Sequence, residues 1–184
     1  MTSAFSESGI FLIQTFGGLY LYIMLFRLLL PLVRADFYNP LSQFVVKATQ
    51  YPLTPIRKIL PTVGRLDLAC LVLAIVIQWA ILCAIYAMAG APFTILGLLI
   101  PSPFLLATKL LNIFFYGIIG SIIISWVAPY SHHPAVSLIR QVTEPVMAPF
   151  RKILPPMGGL DLSPMLAMAA IYVCQIFLRN LMGG

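Results

Sequence analysis

Residues 68–108 read LACLVLAIVIQWAILCAIYAMAGAPFTILGLLIPSPFLLAT and contain no charged side chain. A second charge-free stretch runs from Leu110 to Ile139. A helix needs roughly 20 apolar residues to cross the hydrocarbon of a bilayer, so each stretch holds at least one membrane span. The whole chain of 184 residues is 61% hydrophobic and 9% charged, whereas soluble domains carry about a quarter charged residues. This composition excludes a soluble globular domain.

Four spans are predicted, and prolines and glycines separate them. Gly90-Ala91-Pro92 ends the second span and Pro101-Ser102-Pro103 precedes the third, because proline cannot continue a helix. The apolar segment Phe93–Ile100 is too short to cross, and we interpret it as an interfacial or shallow dipping piece. The N-terminal segment lacks the positive leading region of a signal peptide, so its apolar run is expected to be retained. The predicted spans are Gly9–Val33, Leu68–Met88, Phe104–Ala128 and Ser163–Leu178.

The chain contains an internal duplication. Residues 39–68, NPLSQFVVKATQYPLTPIRKILPTVGRLDL, align without a gap with residues 133–162, HPAVSLIRQVTEPVMAPFRKILPPMGGLDL, at an offset of 94. Twelve of the 30 aligned positions are identical, including the motif RKILP and the motif LDL. Identical charged and glycine residues in register are not explained by shared hydrophobicity. A repeat of this kind determines the architecture of the whole fold.

The predicted fold class is an all-α integral membrane protein with four transmembrane helices in two parallel tandem repeats. Each repeat has the order helix, interfacial amphipathic helix, helix. Repeat 1 covers residues 9–88, an apolar non-cytoplasmic linker covers 89–103, and repeat 2 covers 104–182. Because each repeat holds two spans, both repeats enter the bilayer from the same side, and the repeats are not inverted.

The positive charges predict the orientation of the protein. Eight of the eleven basic residues lie in the two repeated loops, next to spans, which fits orientation signals and anionic headgroups better than nucleic acid. We therefore predict cytoplasmic loops, N- and C-termini in the periplasm, and membrane lipids as partners. The loop cations are Arg34, Lys47, Arg57, Lys58, Arg65, Arg140, Arg151 and Lys152. Outside the loops, Lys109 and Arg179 are predicted to lie at span ends.

Each loop is predicted to begin with a short amphipathic helix. Asn39 can cap a helix whose first turn takes Pro40, and apolar residues then recur at helical spacing on one side. His133 takes the place of the cap in the second copy. A narrow apolar stripe and a basic polar face indicate a helix in the interface plane. The alternative is a hairpin that packs on the span ends outside the lipid.

The RKILP motif that follows is the principal candidate site. Pro55 and Pro61, with Pro149 and Pro155 in the second copy, are predicted to bracket one helical turn. The turn carries adjacent cations, Arg57 with Lys58 and Arg151 with Lys152, which suit phosphate at headgroup depth. The alternative is ordinary snorkelling of the charged ends to water.

A glycine and an aspartate close each unit. Gly64 and Gly158 permit a turn of the chain, and Asp67 and Asp161 stand at the positive end of the next helix dipole. We predict that Arg57 pairs with Asp67 and Arg151 with Asp161, while both lysines stay available for phosphate. An arginine fork fits a carboxylate bidentately and lysine does not. In the second copy Ser163-Pro164 is predicted to cap the last span, which would free Asp161 for pairing.

Other polar residues give weaker indications. Arg27 is a cation inside a span, which by default suggests a functional site, although it lies near enough to the predicted cytoplasmic end to snorkel. His132 and His133 have no acidic residue nearby, and Cys70, Cys83 and Cys174 show no ligand spacing. We therefore predict no catalytic centre, cofactor or metal. Gln14, Gln78, Asn112 and Gln175 are expected to bond between helices, and Gly117, Ser121 and Ser125 to form a close-packing face.

The doubled pattern NP…TxP…PxRKILPPxGGLDLSP around four spans resembles the YggT family of bacterial inner-membrane proteins. The resemblance covers about Gly9 to Leu181. Arg27 matches the span arginine of the family in repeat 1, and Ser125-Trp126 matches its Ser-Trp pair in repeat 2. The resemblance implies a link to osmotic or salt tolerance, to nucleoid and division phenotypes and, for plastid relatives, to cytochrome b6f maturation.

Two functions follow as hypotheses. The first is a non-enzymatic scaffold, assembly or stress-tolerance factor, whose basic loops contact anionic lipid or a protein partner. The second is a small oligomeric transporter or channel element in osmotic or ion homeostasis. The spans lack the paired intramembrane charges that an ion relay needs, so the first hypothesis is favoured. Association with itself or with other membrane proteins is expected in both cases.

Overall fold

The computed structural model describes residues 4–154 and 161–182, and these residues form an almost entirely helical protein. Four helices are long and apolar enough to cross a membrane: Ala4–Leu32, Leu68–Ala89, Gly97–Val127 and Ser163–Leu181. We call them the first, second, third and fourth spans. Two further helices, Pro40–Arg57 and Pro134–Ile153, lie between the spans of each repeat and are called the first and second loop helices. The predicted all-α membrane architecture is confirmed.

The spans differ from the predicted bounds mainly at their ends. The first span begins at Ala4 and includes a π-helical turn at Ile13–Gly17. The third span is continuous with a 3₁₀ turn at Gly97–Leu99. The second half of Phe93–Ile100, which was predicted to be a separate interfacial piece, therefore leads into this span. The link also folds back on the second span, where the Trp79 Nε1 group donates a hydrogen bond of 2.8 Å to the Ile95 carbonyl.

Each loop forms one long helix, where the sequence predicted a short helix and a separate proline-bracketed turn. Pro52 and Pro55 lie inside the first loop helix, and Pro145 and Pro149 lie inside the second. An internal proline removes one helical hydrogen bond and costs about 3 kcal/mol. Packing offsets this cost, because Leu53, between the two prolines of the first loop helix, is completely buried. Arg57, Arg151 and Lys152 therefore belong to the last turns of the loop helices, and Lys58 is the C-terminal cap of the first one.

The core lies where the loop helices meet the spans. Leu21, Met24 and Leu25 of the first span belong to one buried cluster that also contains residues of the second and third spans and of both loop helices. A smaller cluster joins the third and fourth spans to the second loop helix through Ile118, Met147 and Ile171. Outward-facing apolar side chains such as Phe11 and Phe177 remain exposed, as expected where lipid replaces water as the solvent.

The two repeats meet through their loop helices. The Asn39 Nδ2 group donates a hydrogen bond of 2.7 Å to the Pro134 carbonyl, and the Asp36 amide donates one of 2.9 Å to Gln141 Oε1. Both loops therefore lie on one side of the helical bundle. This placement agrees with parallel repeats and rules out an arrangement in which one repeat is upside down.

Candidate functional site: the repeated arginine–aspartate pair and its neighbouring lysine

The first loop helix ends directly at the candidate site, and a short hairpin returns the chain to it. Strands Thr62–Val63 and Leu66–Asp67 pair antiparallel. Gly64 has φ of +61°, and the following Arg65 has no positive φ, as in a type II′ hairpin turn. The predicted glycine turn is thus present. The hairpin was not predicted, because two-residue strands give no periodic signal.

The hairpin places Asp67 against Arg57. Arg57 Nη2 lies 2.5 Å and Nε 3.1 Å from Asp67 Oδ2, so both donors of the arginine contact the same oxygen. The other oxygen, Oδ1, accepts from the Cys70 amide at 3.1 Å and caps the second span. The predicted ion pair is confirmed, and the expected two-oxygen geometry is wrong because one oxygen is used by the cap. The Asp67 side chain is 7% exposed and the Arg57 side chain 29%, so the carboxylate is buried and the arginine is partly accessible to solvent.

The second copy shares its arginine between two carboxylates. Arg151 Nε lies 3.3 Å from Asp161 Oδ2, which confirms the predicted pair. Arg151 Nη1 lies 2.8 and 2.7 Å from the two Glu144 oxygens, a contact that was not predicted. Glu144 lies seven residues before Arg151, two turns along the same face of the helix, and this spacing could have identified it. The first copy has Gln50 at the equivalent position.

Asp161 also organises the start of the fourth span, although Ser163 was predicted to do so. Its Oδ1 accepts hydrogen bonds from the Ser163 amide, at 2.9 Å, and from the Ser163 hydroxyl. Partial burial alone would raise the pKa of Asp161, but these hydrogen bonds and the Arg151 guanidinium together lower it below its ordinary value. Pro155 and Gly158, the counterparts of Pro61 and Gly64, lie outside the described residues.

The lysine beside each arginine is exposed. The side chains of Lys58 and Lys152 form no hydrogen bond or ion pair within residues 4–154 and 161–182. The isoleucine after each lysine is also exposed, with Ile59 at 82% and Ile153 at 72%. The same Lys-Ile pair therefore projects from both repeats beside an arginine held by the protein.

Arg27 lies in the span that packs against this site. It is half-buried in the first span, which contacts the strand Leu66–Asp67. Its Nε atom is buried and finds no hydrogen-bond partner among the described residues. The second repeat has Ser121 there, whose hydroxyl donates to the Ile118 carbonyl at 2.8 Å. The two copies therefore differ in the charge that lies beneath the ion pair.

The remaining predicted contacts have mixed outcomes. Gln175 donates to Asn112 at 2.9 Å, which confirms one interhelical bond. Gly117 packs tightly on the second loop helix, because a Cβ there would lie 2.9 Å from Thr143 Cγ2. Ser125 is exposed, so the predicted small-residue face is only partly used. In the described part of the chain, no three His, Cys, Asp or Glu residues are grouped to hold a metal ion.

The fold and the repeated site together define a class: a four-span membrane protein made of two repeats, each carrying an amphipathic loop helix that ends in an arginine–aspartate pair. The family model described as CCB3/YggT matches residues 6–88 and 102–182, once for each repeat. The chain belongs to the CCB3/YggT family.

Similar bacterial proteins match along nearly the full chain. An uncharacterized protein of Pseudomonas aeruginosa is 47% identical over 95% of this chain and 90% of its own length. An uncharacterized protein of Vibrio alginolyticus is 36% identical over 94% of both chains. The uncharacterized protein YggT of Escherichia coli is 32% identical over 90% of this chain and 86% of its own. No solved structure matches.

Proposed function

We propose that this protein is a non-enzymatic membrane scaffold whose two loops bind anionic lipid headgroups at the cytoplasmic face of the bacterial inner membrane. The observation that carries the proposal is the duplicated exposed pair, Lys58-Ile59 and Lys152-Ile153. Each pair follows an arginine that is fixed by a carboxylate. In each RKILP motif the arginine is thus ion-paired within the protein, and the lysine is exposed at its surface.

The exposed isoleucines support a location at the lipid interface. Burying apolar surface is favourable by about 25 cal/mol per Å². Transfer of the exposed side chains of Ile59 and Ile153 from water to the boundary between headgroups and acyl chains is therefore favourable. A lysine beside such an anchor lies at phosphate depth, where each cation contributes about 1 kcal/mol of attraction to an anionic surface.

Aromatic side chains of the loops support the same placement. Tyr38, Tyr51, Trp126 and Tyr130 are all more than 80% exposed and lie in or beside the loops. Tyrosine and tryptophan are enriched at the membrane–water interface, where an apolar ring and a polar group both find a suitable environment. With the loops there, the hairpin also presents the exposed Arg65 toward anionic lipid or an acidic protein partner.

The test is retention of lipid by the purified protein, measured by native mass spectrometry from mixed phosphatidylglycerol and phosphatidylcholine. Wild-type protein should retain the anionic lipid preferentially. The double variant Lys58→Gln, Lys152→Gln should lose up to about thirty-fold in that preference, given about 1 kcal/mol per cation.

The matched control is Lys47→Gln with Arg140→Gln, which removes two exposed cations from the same helices without touching the Lys-Ile pairs. The control should keep most of the preference. An equal loss in both double variants would show a diffuse electrostatic effect and reject the proposed site. Replacing Ile59 and Ile153 with serine should weaken retention of both lipids.

A second candidate is a small oligomeric transporter or channel element in ion or osmotic homeostasis. A polar cavity among the first three spans, with Lys109 in its lining, favours it. Flux of ions into proteoliposomes that contain the purified protein would test this candidate. Flux that is unchanged by substitution of Lys109 would contradict a route through the cavity.

A further inference from the structure

A polar cavity of about 420 Å³ lies among the first, second and third spans. It is separate from the loop site, because no residue of the RKILP motifs lines it. Apolar side chains and Gly18 form part of the wall. The polar side chains of its lining are Gln14, Tyr22, Gln78, Thr108, Lys109 and Asn112, and none of the lining residues carries a carboxylate.

Lys109 supplies the positive charge of the cavity. The sequence suggested a cation at a span end, but the residue lies about 12 Å along the third span from Pro101, at 1.5 Å per helical residue. Its Nζ atom lies 5.5 Å from the centre of the Tyr22 ring. Within the described residues no carboxylate lies within ion-pair distance of it. An ionisable group inside a membrane is costly and ordinarily marks a functional pathway or site.

Gln78 provides independent evidence that the cavity is incomplete without an occupant. The residue is 3% exposed, and its Oε1 atom finds no hydrogen-bond partner in the described part of the chain. It was expected to bond between helices, as Asn112 does through Oδ1 with Gln175. The Asn112 Nδ2 hydrogens are not used in that bond. Buried polar groups are normally paired, so an orphaned one indicates a missing partner.

The backbone of the first span is also irregular beside the cavity. The π-helical turn Ile13–Gly17 carries Gln14 and is followed directly by Gly18, and both residues line the cavity. Gly17 packs so closely on the second span that a Cβ would lie 2.8 Å from Ile81 Cδ1. Turns of this type within α-helices occur frequently at functional sites.

We propose that this cavity binds a small oxyanion of the carboxylate class, with Lys109 as its counter-charge. Lys109 offers three N–H donors, and the Asn112 and Gln78 amides offer more, so the lining suits an anion that accepts hydrogen bonds. A carboxylate of a few carbons leaves room for water, at about 30 Å³ per molecule, to donate to Gln78 Oε1. Lys109 repels metal cations from the same space.

The test measures the melting temperature of the full-length protein in detergent during titration with sodium acetate. The acetate replaces sodium chloride, so the ionic strength stays constant. Acetate should stabilise wild-type protein. Lys109→Met should weaken acetate binding at least tenfold, whereas Lys109→Arg and the control Arg179→Met, a span cation outside the cavity, should retain it.

A second titration, with inorganic phosphate in place of acetate, distinguishes a carboxylate ligand from an inorganic oxyanion. Stabilisation by phosphate and not acetate, lost in Lys109→Met, would overturn the carboxylate class and assign the cavity to an inorganic oxyanion. Chloride as effective as acetate, or no response to either oxyanion, would overturn the proposal. Failure here would not affect the lipid-binding proposal, whose readout depends on Lys58 and Lys152.

Gln78→Met provides a test that does not depend on the folding of the lysine variants. Removal of an unpaired buried acceptor should raise the melting temperature without acetate. The same change should weaken acetate binding, because it deletes a donor and the site for bridging water. A purely structural glutamine would not give these opposite effects, and a variant that binds acetate as tightly as wild type would contradict the assignment.

Discussion

Asn39 joins the two repeats by donating from Nδ2 to the Pro134 carbonyl at 2.7 Å, while its Oδ1 caps its own helix at the Leu41 amide. One side chain, 5% exposed, thus fixes the start of both loop helices. His133 has the equivalent position and caps its helix through Nδ1 at 3.2 Å, but it is exposed. The duplicated cap has therefore kept its local role in both copies and acquired a joining role in one.

Replacement of Asn39 with alanine should destabilise the protein by about 2–3 kcal/mol. Loss of a cap costs about 1 kcal/mol, and the loss of a buried hydrogen bond adds about 1–2 kcal/mol. Replacement of His133 with alanine should cost about 1 kcal/mol or less, because that cap is exposed. Denaturation in mild detergent measures both values. Equal losses would show that the bond to Pro134 contributes little.

The sequence predicted the large elements because membrane spans follow from composition. The four spans, the parallel repeats and the Asn39 cap all follow from uninterrupted apolar runs and an ungapped alignment. The Arg57–Asp67 pair could also be predicted, because a glycine turn between them brings residues ten apart together. Such features depend on local order along the chain.

The errors arose where packing between distant segments decides the structure. Pro55 and Pro61 were predicted to bracket a separate turn, but the helix continues through Pro52 and Pro55, because burial of Leu53 outweighed the lost hydrogen bonds. Lys109 was assigned to a span end because nothing local shows that the helix extends back to Gly97. The side-chain oxygen of Gln78 has no hydrogen-bond partner in the described residues. Sequence reasoning could not detect this, because glutamine in a span normally bonds to another helix.

The two arginines of the RKILP motifs should differ in their importance for stability. Arg57→Lys should lower stability by about 1–2 kcal/mol, since hydrogen bonds to charged groups contribute about 1.5–3 kcal/mol and lysine retains some of them. Arg151→Lys should cost at most about 1 kcal/mol, because its carboxylates are solvent-exposed. Melting temperatures of the two variants compare these costs. A larger effect at Arg151 would contradict the argument from burial.

Asp161 should make stability depend on pH in the acid range. Its pKa in the folded protein is lower than the ordinary value of about 3.9. The ionised carboxylate therefore contributes stability that is complete above the unfolded pKa and is lost as the pH falls through the folded pKa. The stability difference between wild type and Asp161→Asn should shrink as pH falls from 6 toward about 3. Ser163→Ala should reduce this pH dependence, and no change in it would contradict the role given to Ser163.

The orientation of the protein can be tested at two exposed threonines on opposite ends of the bundle. Eight loop cations predict that Thr62, in the hairpin, faces the cytoplasm and that Thr94, in the link, faces the periplasm. In a background without Cys70, Cys83 and Cys174, a membrane-impermeant maleimide should label Thr94→Cys in intact cells. It should label Thr62→Cys only after the membrane is opened. Since Asn39 holds the two loops on one side, the hairpin label reports on both repeats. Labelling of Thr62→Cys in intact cells would reverse the orientation and move the proposed Lys-Ile site to the outer leaflet.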